Sequence, residues 1–277
     1  MAIDFKHIEQ AIDKIPPLPL VVSNVMTNLD GDAADFEVLE KNISQDPVMS
    51  GRILAVANSS FYGMSGEVGA IKDACLVLGL NTIRSIIIAV GVIQHMKSGD
   101  NDNLYHNHFW HHSIGVAVSA RVLAKYTNID RESAFTAGLL HDIGKLVLAS
   151  CFSKEYAEVA RLCDKDNCPT SEAEDKVIGY NHGVVGARIA ERWRLPQPII
   201  DSIKLHHIQD EALRSPMVGL VYVADAVCIA LETSDDDMSE SSLDHNVVER
   251  LEMTMPMIIH SMDEIASSES GFSALMG

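Results

Sequence analysis

The stretch Gly138-Leu-Leu-His-Asp-Ile-Gly-Lys145 places an imidazole and a carboxylate side by side in apolar, helix-forming surroundings. Burying an unpaired charge costs several kcal/mol or forces the group to become neutral, so His141 and Asp142 need a partner. A divalent cation satisfies both groups at once. The stretch therefore predicts a metal site inside a helical core.

Composition narrows the class of protein. The 277 residues are 47% hydrophobic and only 5% aromatic, which favours packed helices. A formal charge of −18 argues against nucleic acid, which needs basic residues to neutralise phosphates, and against an anionic membrane surface. There is no Cys-x-x-Cys pair and no signal-peptide pattern, and the apolar stretches near 86–93 and 219–231 fall short of the roughly 20 residues of a membrane span. We expect a cytoplasmic protein.

Helical spacing of apolar residues predicts an all-α fold. In the first half, Asp35 and Asp46 are predicted N-caps, the second followed by a first-turn proline, and Gly79 predicts a break between two helices. The second half predicts helices at 109–125, 131–148, 154–164, 171–178, 182–193, 196–206 and 216–231. A last helix from Val247 is expected to be kinked or divided at Pro256.

The polar stretch Ser98–Asn107 is the best internal boundary. We therefore predict an N-terminal helical subdomain over residues 1–100 and a helical core that carries the metal site over residues 101–232. Residues 233–277 are predicted to form an acidic loop, within Ser234–Asp244, and a C-terminal helix.

Five further ionisable residues interrupt apolar helix faces in the second half: His112, His182, His206, His207 and Asp225. Singly, a histidine is more often a hydrogen-bonded structural residue, and the whole set could be a metal-free hydrogen-bond network. Imidazole and carboxylate groups from separate helices instead suit Fe, Mn, Zn or Ni at the centre of a bundle. The set is large enough for two divalent ions bridged by Asp142.

The order of these residues resembles that of the HD superfamily of metal-dependent phosphohydrolases. The first half is similar to the HDOD family, the HD-related output domain of bacterial signalling, through three segments: Pro16-Pro-Leu-Pro19, Ile43–Gly63 (with its Asp-Pro and Ala-Asn-Ser-Ser motifs) and Ala70–Gly79. The resemblance implies an HD-like helical bundle with an N-terminal helical subdomain. It also implies a regulatory or scaffold role, since many members lack metal ligands.

Similarity to the HD-GYP phosphodiesterases implies metal-ligand roles for His112, His141, Asp142, His182, His206, His207 and Asp225. It also implies that Lys145 approaches a substrate phosphate, although a solvated lysine near a helix end is an equal interpretation. The Gly-Tyr-Pro segment of those enzymes is absent after His207. Some trinuclear relatives carry a glutamate where this chain has His108, one turn before His112, so a third metal is an open alternative.

The sequence thus predicts a bacterial signalling or regulatory protein with an HD-type site for two divalent ions. Its expected partner is a signalling protein or a small phosphorylated ligand. The alternative is an active phosphohydrolase or phosphodiesterase acting on a nucleotide or cyclic dinucleotide, with Asp142 and Lys145 as catalytic residues. The sequence does not decide the oligomeric state.

Overall fold

The computed structural model describes residues 3–15, 17–27, 40, 43–59, 68–96, 103–233, 243–272 and 275. Within these residues every regular element is a helix, which confirms the all-α prediction. The predicted cap at Asp35 lies outside the described residues. So do residues 98–102 of the predicted boundary at 98–107, whose other half is helical, and residues 234–242 of the predicted acidic loop. The predicted division of the chain at residues 100 and 233 stays a prediction.

The first half forms α1 (Phe5–Asp13), α2 (Leu20–Thr27), α3 (Pro47–Ala57) and α4 (Ile71–Met96). The predicted cap is confirmed at Asp46, whose side chain accepts hydrogen bonds from the backbone amides of Val48 and Met49. The predicted break is confirmed at Gly79, where a φ of 77° kinks α4. Glycine adopts this left-handed conformation without steric cost. Helices α2 and α3 both pack on α4.

The second half consists of α5 (Asn103–Leu123), α6 (Arg131–Leu140), α7 (Ile143–Cys151), α8 (Ser153–Asp166), α9 (Thr170–Val177), α10 (His182–Arg192), α11 (Gln197–Leu205), α12 (Gln209–Ala212), α13 (Pro216–Thr233), α14 (His245–Arg250) and α15 (Met255–Phe272). The predicted division near Pro256 is confirmed by the end of α14 and the start of α15. Helix α5 packs on α6, α13 and α15, while α10 packs on α7 and α11.

The prediction of one helix over 131–148 is wrong, because the chain bends at Asp142. Helix α6 ends at Leu140 and α7 begins at Ile143, and Asp142 has a φ of −102° and a ψ of 7°. The apolar pattern continues across the bend because both helices are buried, so the sequence does not reveal it. The bend places the His-Asp pair at the junction of two helices.

Close backbone packing fixes the helix that follows this junction. A Cβ atom at Gly144 would collide with the carbonyl oxygen of His182 and lie 2.8 Å from the backbone nitrogen of Gly186. Only a residue without a side chain lets α7 approach the first turn of α10 this closely. The glycine thereby brings His182 toward Asp142.

We expect Gly144→Ala to lower stability by about 1–3 kcal/mol, because the added methyl group must push α7 and α10 apart. Gly51→Ala is the matched control, since a Cβ atom there meets no atom within 4 Å and alanine favours a helix by roughly 0.5–1 kcal/mol. Urea unfolding of both variants measures the difference. Equal stability of the two variants would contradict the packing argument.

The expectation that the apolar stretches are too short to cross a membrane is corrected by their lengths in the structure. Three stretches among the described residues are long and apolar enough to cross a membrane by length and composition: Ile71–Met96, Arg131–Cys151 and Pro216–Thr233. The shorter stretches named from the sequence, near 86–93 and 219–231, lie inside the first and the third of these, and the second spans α6, the bend at Asp142 and α7. Within the fold, 67%, 78% and 56% of their apolar windows are buried.

Candidate metal centre

The residues expected as ligands come from separate elements and converge at one place. His112 lies on α5, and His141 and Asp142 form the junction of α6 and α7. His182 is the first residue of α10, His206 and His207 directly follow α11, and Asp225 lies on α13. His141, Asp142, His182 and His206 are buried, with at most 2% of each residue exposed.

Two of these histidines are oriented by the ends of their own helices. Nδ1 of His141 lies 2.7 Å from the carbonyl oxygen of Gly138, and Nδ1 of His206 lies 2.9 Å from that of Ile203. The last carbonyls of a helix lack intrahelical donors. Because a carbonyl oxygen only accepts, each Nδ1 carries a proton and donates it. In both rings Nε2 therefore points into the centre.

Glu174 orients a third histidine. Its Oε2 accepts hydrogen bonds from Nδ1 of His182 at 2.6 Å and from the backbone amide of His182 at 2.7 Å. Both side chains are fully buried. This is the carboxylate–histidine arrangement that fixes the tautomer of metal-binding histidines and raises their basicity. Glu174 thus aims Nε2 of His182 at Asp142.

The carboxylate of Asp142 lies between two groups of donors that could each hold a metal ion. One group is Asp142 with His182, His206 and His207, and the other is Asp142 with His112 and His141. Oδ1 of Asp142 lies 3.0 Å from Nε2 of His182, and Oδ2 lies 3.4 Å from Nε2 of His141. Oδ1 of Asp225 lies 3.2 Å from Nε2 of His112, so Asp225 borders the second group.

The spacing of nitrogen atoms fits a coordination shell. Nε2 of His182 lies 2.9 Å from Nε2 of His207 and 3.4 Å from Nε2 of His206. Ligands bound at about 2.1 Å lie roughly 3.0 Å apart in an octahedral shell and roughly 3.4 Å apart in a tetrahedral one. The observed nitrogen separations match the edges of such shells.

Several buried polar atoms at the centre lack a hydrogen-bond partner: Nε2 of His141, Oδ1 of Asp142 and Oδ1 of Asp225. A buried donor or acceptor without a partner costs about 1–3 kcal/mol. A divalent cation would satisfy these atoms together, so they fit a site built for a cation.

The electrostatics keep the donors in different protonation states. Burial lowers the pKa of His112, but Asp225, Cys228 and Glu232 together outweigh burial and raise the pKa to about 12. The residue His207 is exposed, yet burial of its ring, followed by His206 and His182, lowers its pKa to about 2. A metal ion must displace a proton from His112 but meets a neutral ring at His207.

Lys145 lies within the centre rather than in solvent. Its Nζ is 2.5 Å from Oδ2 of Asp142, and 22% of the side chain is exposed. Burial opposes its charge, but Asp142, together with Asp225 and Glu174, outweighs burial and raises the pKa of the ammonium group. Lys145 therefore presents a permanent positive charge beside the shared carboxylate.

His112 has a second set of neighbours that the sequence did not single out. Its Nδ1 lies 3.3 Å from Oε1 of Glu232 and 3.8 Å from Sγ of Cys228, both on α13. These three residues form another group that could hold a metal ion, and His108 belongs to none of the groups. A third ion ligated by His108 stays a prediction without geometric support.

Glu174 was also missed, because its helix, Ser171–Ile178 in the sequence, is mostly polar. A signal was available: Glu174 shares a helix face with Val177 and Ile178, which are three and four residues further on. A carboxylate on the buried face of a polar helix needs a buried partner, and His182 is that partner.

This helical architecture and its converging histidines and aspartates define an HD-like protein with a candidate metal centre. The sequence pattern of the HDOD domain matches residues 15–209, and the chain belongs to that family. The resemblance stated from the sequence is thereby confirmed.

Two curated relatives show how far the similarity extends. An uncharacterised protein of Treponema pallidum is 28% identical over 205 residues, which cover 72% of this chain and 39% of that protein. Ribonuclease Y of Geobacter sulfurreducens is 27% identical over 205 residues, which cover 73% of this chain and 33% of the enzyme. The matches thus span only a third to two fifths of these relatives.

Solved structures share the fold. A protein of Shewanella amazonensis SB2B, named a candidate phosphohydrolase, has a TM-score of 0.80 at 23% identity and 98% coverage of both chains. An HDOD domain protein of unknown function from Geobacter sulfurreducens has a TM-score of 0.73 at 25% identity, and the match covers 94% of this chain and 98% of that one. A candidate signal transduction protein of Marinobacter aquaeolei VT8 has a TM-score of 0.76 at 20% identity, and the match covers 98% of this chain and 65% of that one.

Proposed function

We propose that this protein is a metal-binding regulatory protein of bacterial signalling, in which two divalent ions bridged by Asp142 bind a phosphorylated ligand. The proposal depends above all on the position of Asp142. Its two carboxylate oxygens face separate donor groups, and its Oδ1 is buried without a hydrogen-bond partner. Nitrogen-rich donor sets suit Fe, Mn, Zn or Ni. Membership of the HDOD family supports the regulatory role, as does the name of the Marinobacter relative.

Metal and phosphate titrations test this proposal. We expect the untagged, metal-depleted chain to take up two Mn²⁺ or Zn²⁺ ions, and to bind inorganic phosphate only after loading, because the ions supply the positive charge that the phosphate needs. Elemental analysis counts the ions and calorimetry measures phosphate binding. No metal uptake under reducing conditions at neutral pH would contradict the proposal.

An active phosphohydrolase is the second candidate, favoured by the ammonium group of Lys145 beside Asp142 and by the name of the Shewanella relative. Bound ions would supply Lewis acidity and an activated water. Lys145 would offset negative charge on the phosphoryl group. Release of phosphate from phosphomonoesters, or of a phosphomonoester and an alcohol from phosphodiesters, by the loaded protein would favour this candidate if Asp142→Ala abolished it.

Lys145→Met should weaken phosphate binding by roughly 10- to 100-fold while both ions stay bound, since a charge-assisted hydrogen bond is worth about 1.5–3 kcal/mol. Methionine is an unbranched side chain of similar length that lacks the ammonium group, with its charge and its hydrogen-bond donors. Lys165→Met on α8 is the control, because Lys165 is exposed and lies outside the centre. Calorimetry measures the phosphate affinity of the two variants. Equal phosphate affinities would show that Lys145 does not contact the ligand.

A further inference from the structure

A cavity of about 490 Å³ opens directly beside the candidate metal centre. Asp142, His112 and Lys145 line its inner end, so a ligand in this cavity would reach the donors of the centre. Binding sites for small molecules commonly have volumes of about 300–1,000 Å³. The cavity therefore has the size of a small-molecule site that continues outward from the metal centre.

Beyond its inner end, the cavity has an apolar wall. Phe109 from α5, Tyr156 and Val159 from α8, and Ile229 from α13 line it. Ile229 is 47% exposed and is among the large apolar side chains that the described residues leave open to solvent. A partly exposed apolar wall next to a charged end suits a ligand that is charged at one end only.

Charge along the rim points the same way. Lys145 is the only lysine or arginine that lines this cavity among the described residues, and its ammonium group is already paired with Asp142. The remaining lining carries the carboxylates of Asp164 and of Glu232, the second of which lies 3.3 Å from His112. A nucleic-acid strand needs a cation for most of its phosphates, as well as a groove that follows its backbone. The rim would repel a second phosphate.

We infer that this cavity binds a small phosphate monoester with a single phosphate and an uncharged, largely apolar organic group. The inference rests on the proposed function, since the phosphate would bind at the metal centre. The organic group would then lie on the wall formed by Phe109, Tyr156, Val159 and Ile229. A strand of RNA is excluded by the acidic rim, although relatives of this chain are named Ribonuclease Y.

Calorimetry on the Mn²⁺-loaded full chain with phenylphosphonate and methylphosphonate tests the inference. Both probes carry the same phosphonate head group, and neither contains an ester bond that the protein could hydrolyse. We expect phenylphosphonate to bind about tenfold more tightly, since its ring buries apolar area on the wall. Ile229→Ser should reduce this preference about threefold to fivefold and leave methylphosphonate unchanged. Ile259→Ser is the control, because Ile259 is also exposed, at 55%, but lies on α15 outside the cavity.

The outcomes separate this inference from the proposed function. Equal affinity for the two phosphonates, or tighter binding of a 12-residue RNA than of phenylphosphonate, would overturn the inference and leave the metal centre intact. Metal uptake without binding of either phosphonate would also overturn it. A chain that takes up no metal would contradict the proposed function first, and the inference with it.

Discussion

Asp142→Asn is expected to lose both metal ions, with the affinity for each falling by more than about 100-fold. Outer-shell substitutions alone typically cost 10- to 100-fold in metal affinity, and Asp142 faces both donor groups directly. Asparagine keeps the size of the side chain but offers one neutral oxygen, which cannot bridge two cations. Elemental analysis after dialysis should find two ions per chain in the wild type and fewer than one in the variant.

Two further variants show whether the loss of both ions is specific to Asp142. Asp225→Asn should lose only the ion on the side of His112, since Asp225 borders that group alone. Asp46→Ala should keep both ions and lose about 0.5–2 kcal/mol of stability, because it removes only a helix cap. If Asp142→Asn retains one ion as tightly as Asp225→Asn does, the carboxylate does not bridge.

Glu174→Gln is expected to weaken metal binding on the side of His182 by roughly 10- to 100-fold. Glutamine can still accept a hydrogen bond from Nδ1 of His182, but it no longer raises the basicity of the ring. The neutral amide should also leave the fold intact, since Oε1 of Glu174 has no hydrogen-bond partner that the substitution would break. Competition with a chelator measures the affinity of each ion.

The matched control for this prediction is Glu172→Gln, because Glu172 lies on the same helix, α9, but is exposed. The exposed variant should hold metal as the wild type does. Equal metal affinity in the two variants would mean that Glu174 shapes the fold without tuning the centre. Loss of only the ion near His112 in Glu174→Gln would contradict the assignment of His182 to its donor group.

The sequence predicted which residues meet but not what orients them. The positions of His141, Asp142 and Asp225 stood out because each interrupts an apolar helix face. The carbonyl of Gly138 that fixes the ring of His141, in contrast, belongs to a helix end that the apolar pattern did not reveal. The sequence did not single out Glu174, because its helix is polar on most sides.

The fold shows the same division. Local signals predicted the cap at Asp46 and the break at Gly79, because each depends on the conformation of a few neighbouring residues. The bend at Asp142 depends on how α7 packs against α10, where Gly144 allows backbones to touch. Tertiary contacts of this kind leave no periodic pattern in the sequence.

The central claim is that Asp142 bridges two ions. Diffraction from crystals of the Mn²⁺-loaded protein, collected at a wavelength where Mn²⁺ scatters anomalously, tests it most directly. We predict two anomalous peaks about 3.5–4 Å apart, the usual spacing of two-metal sites, on either side of the Asp142 carboxylate. A single peak, or none within bonding distance of Asp142, would contradict the account.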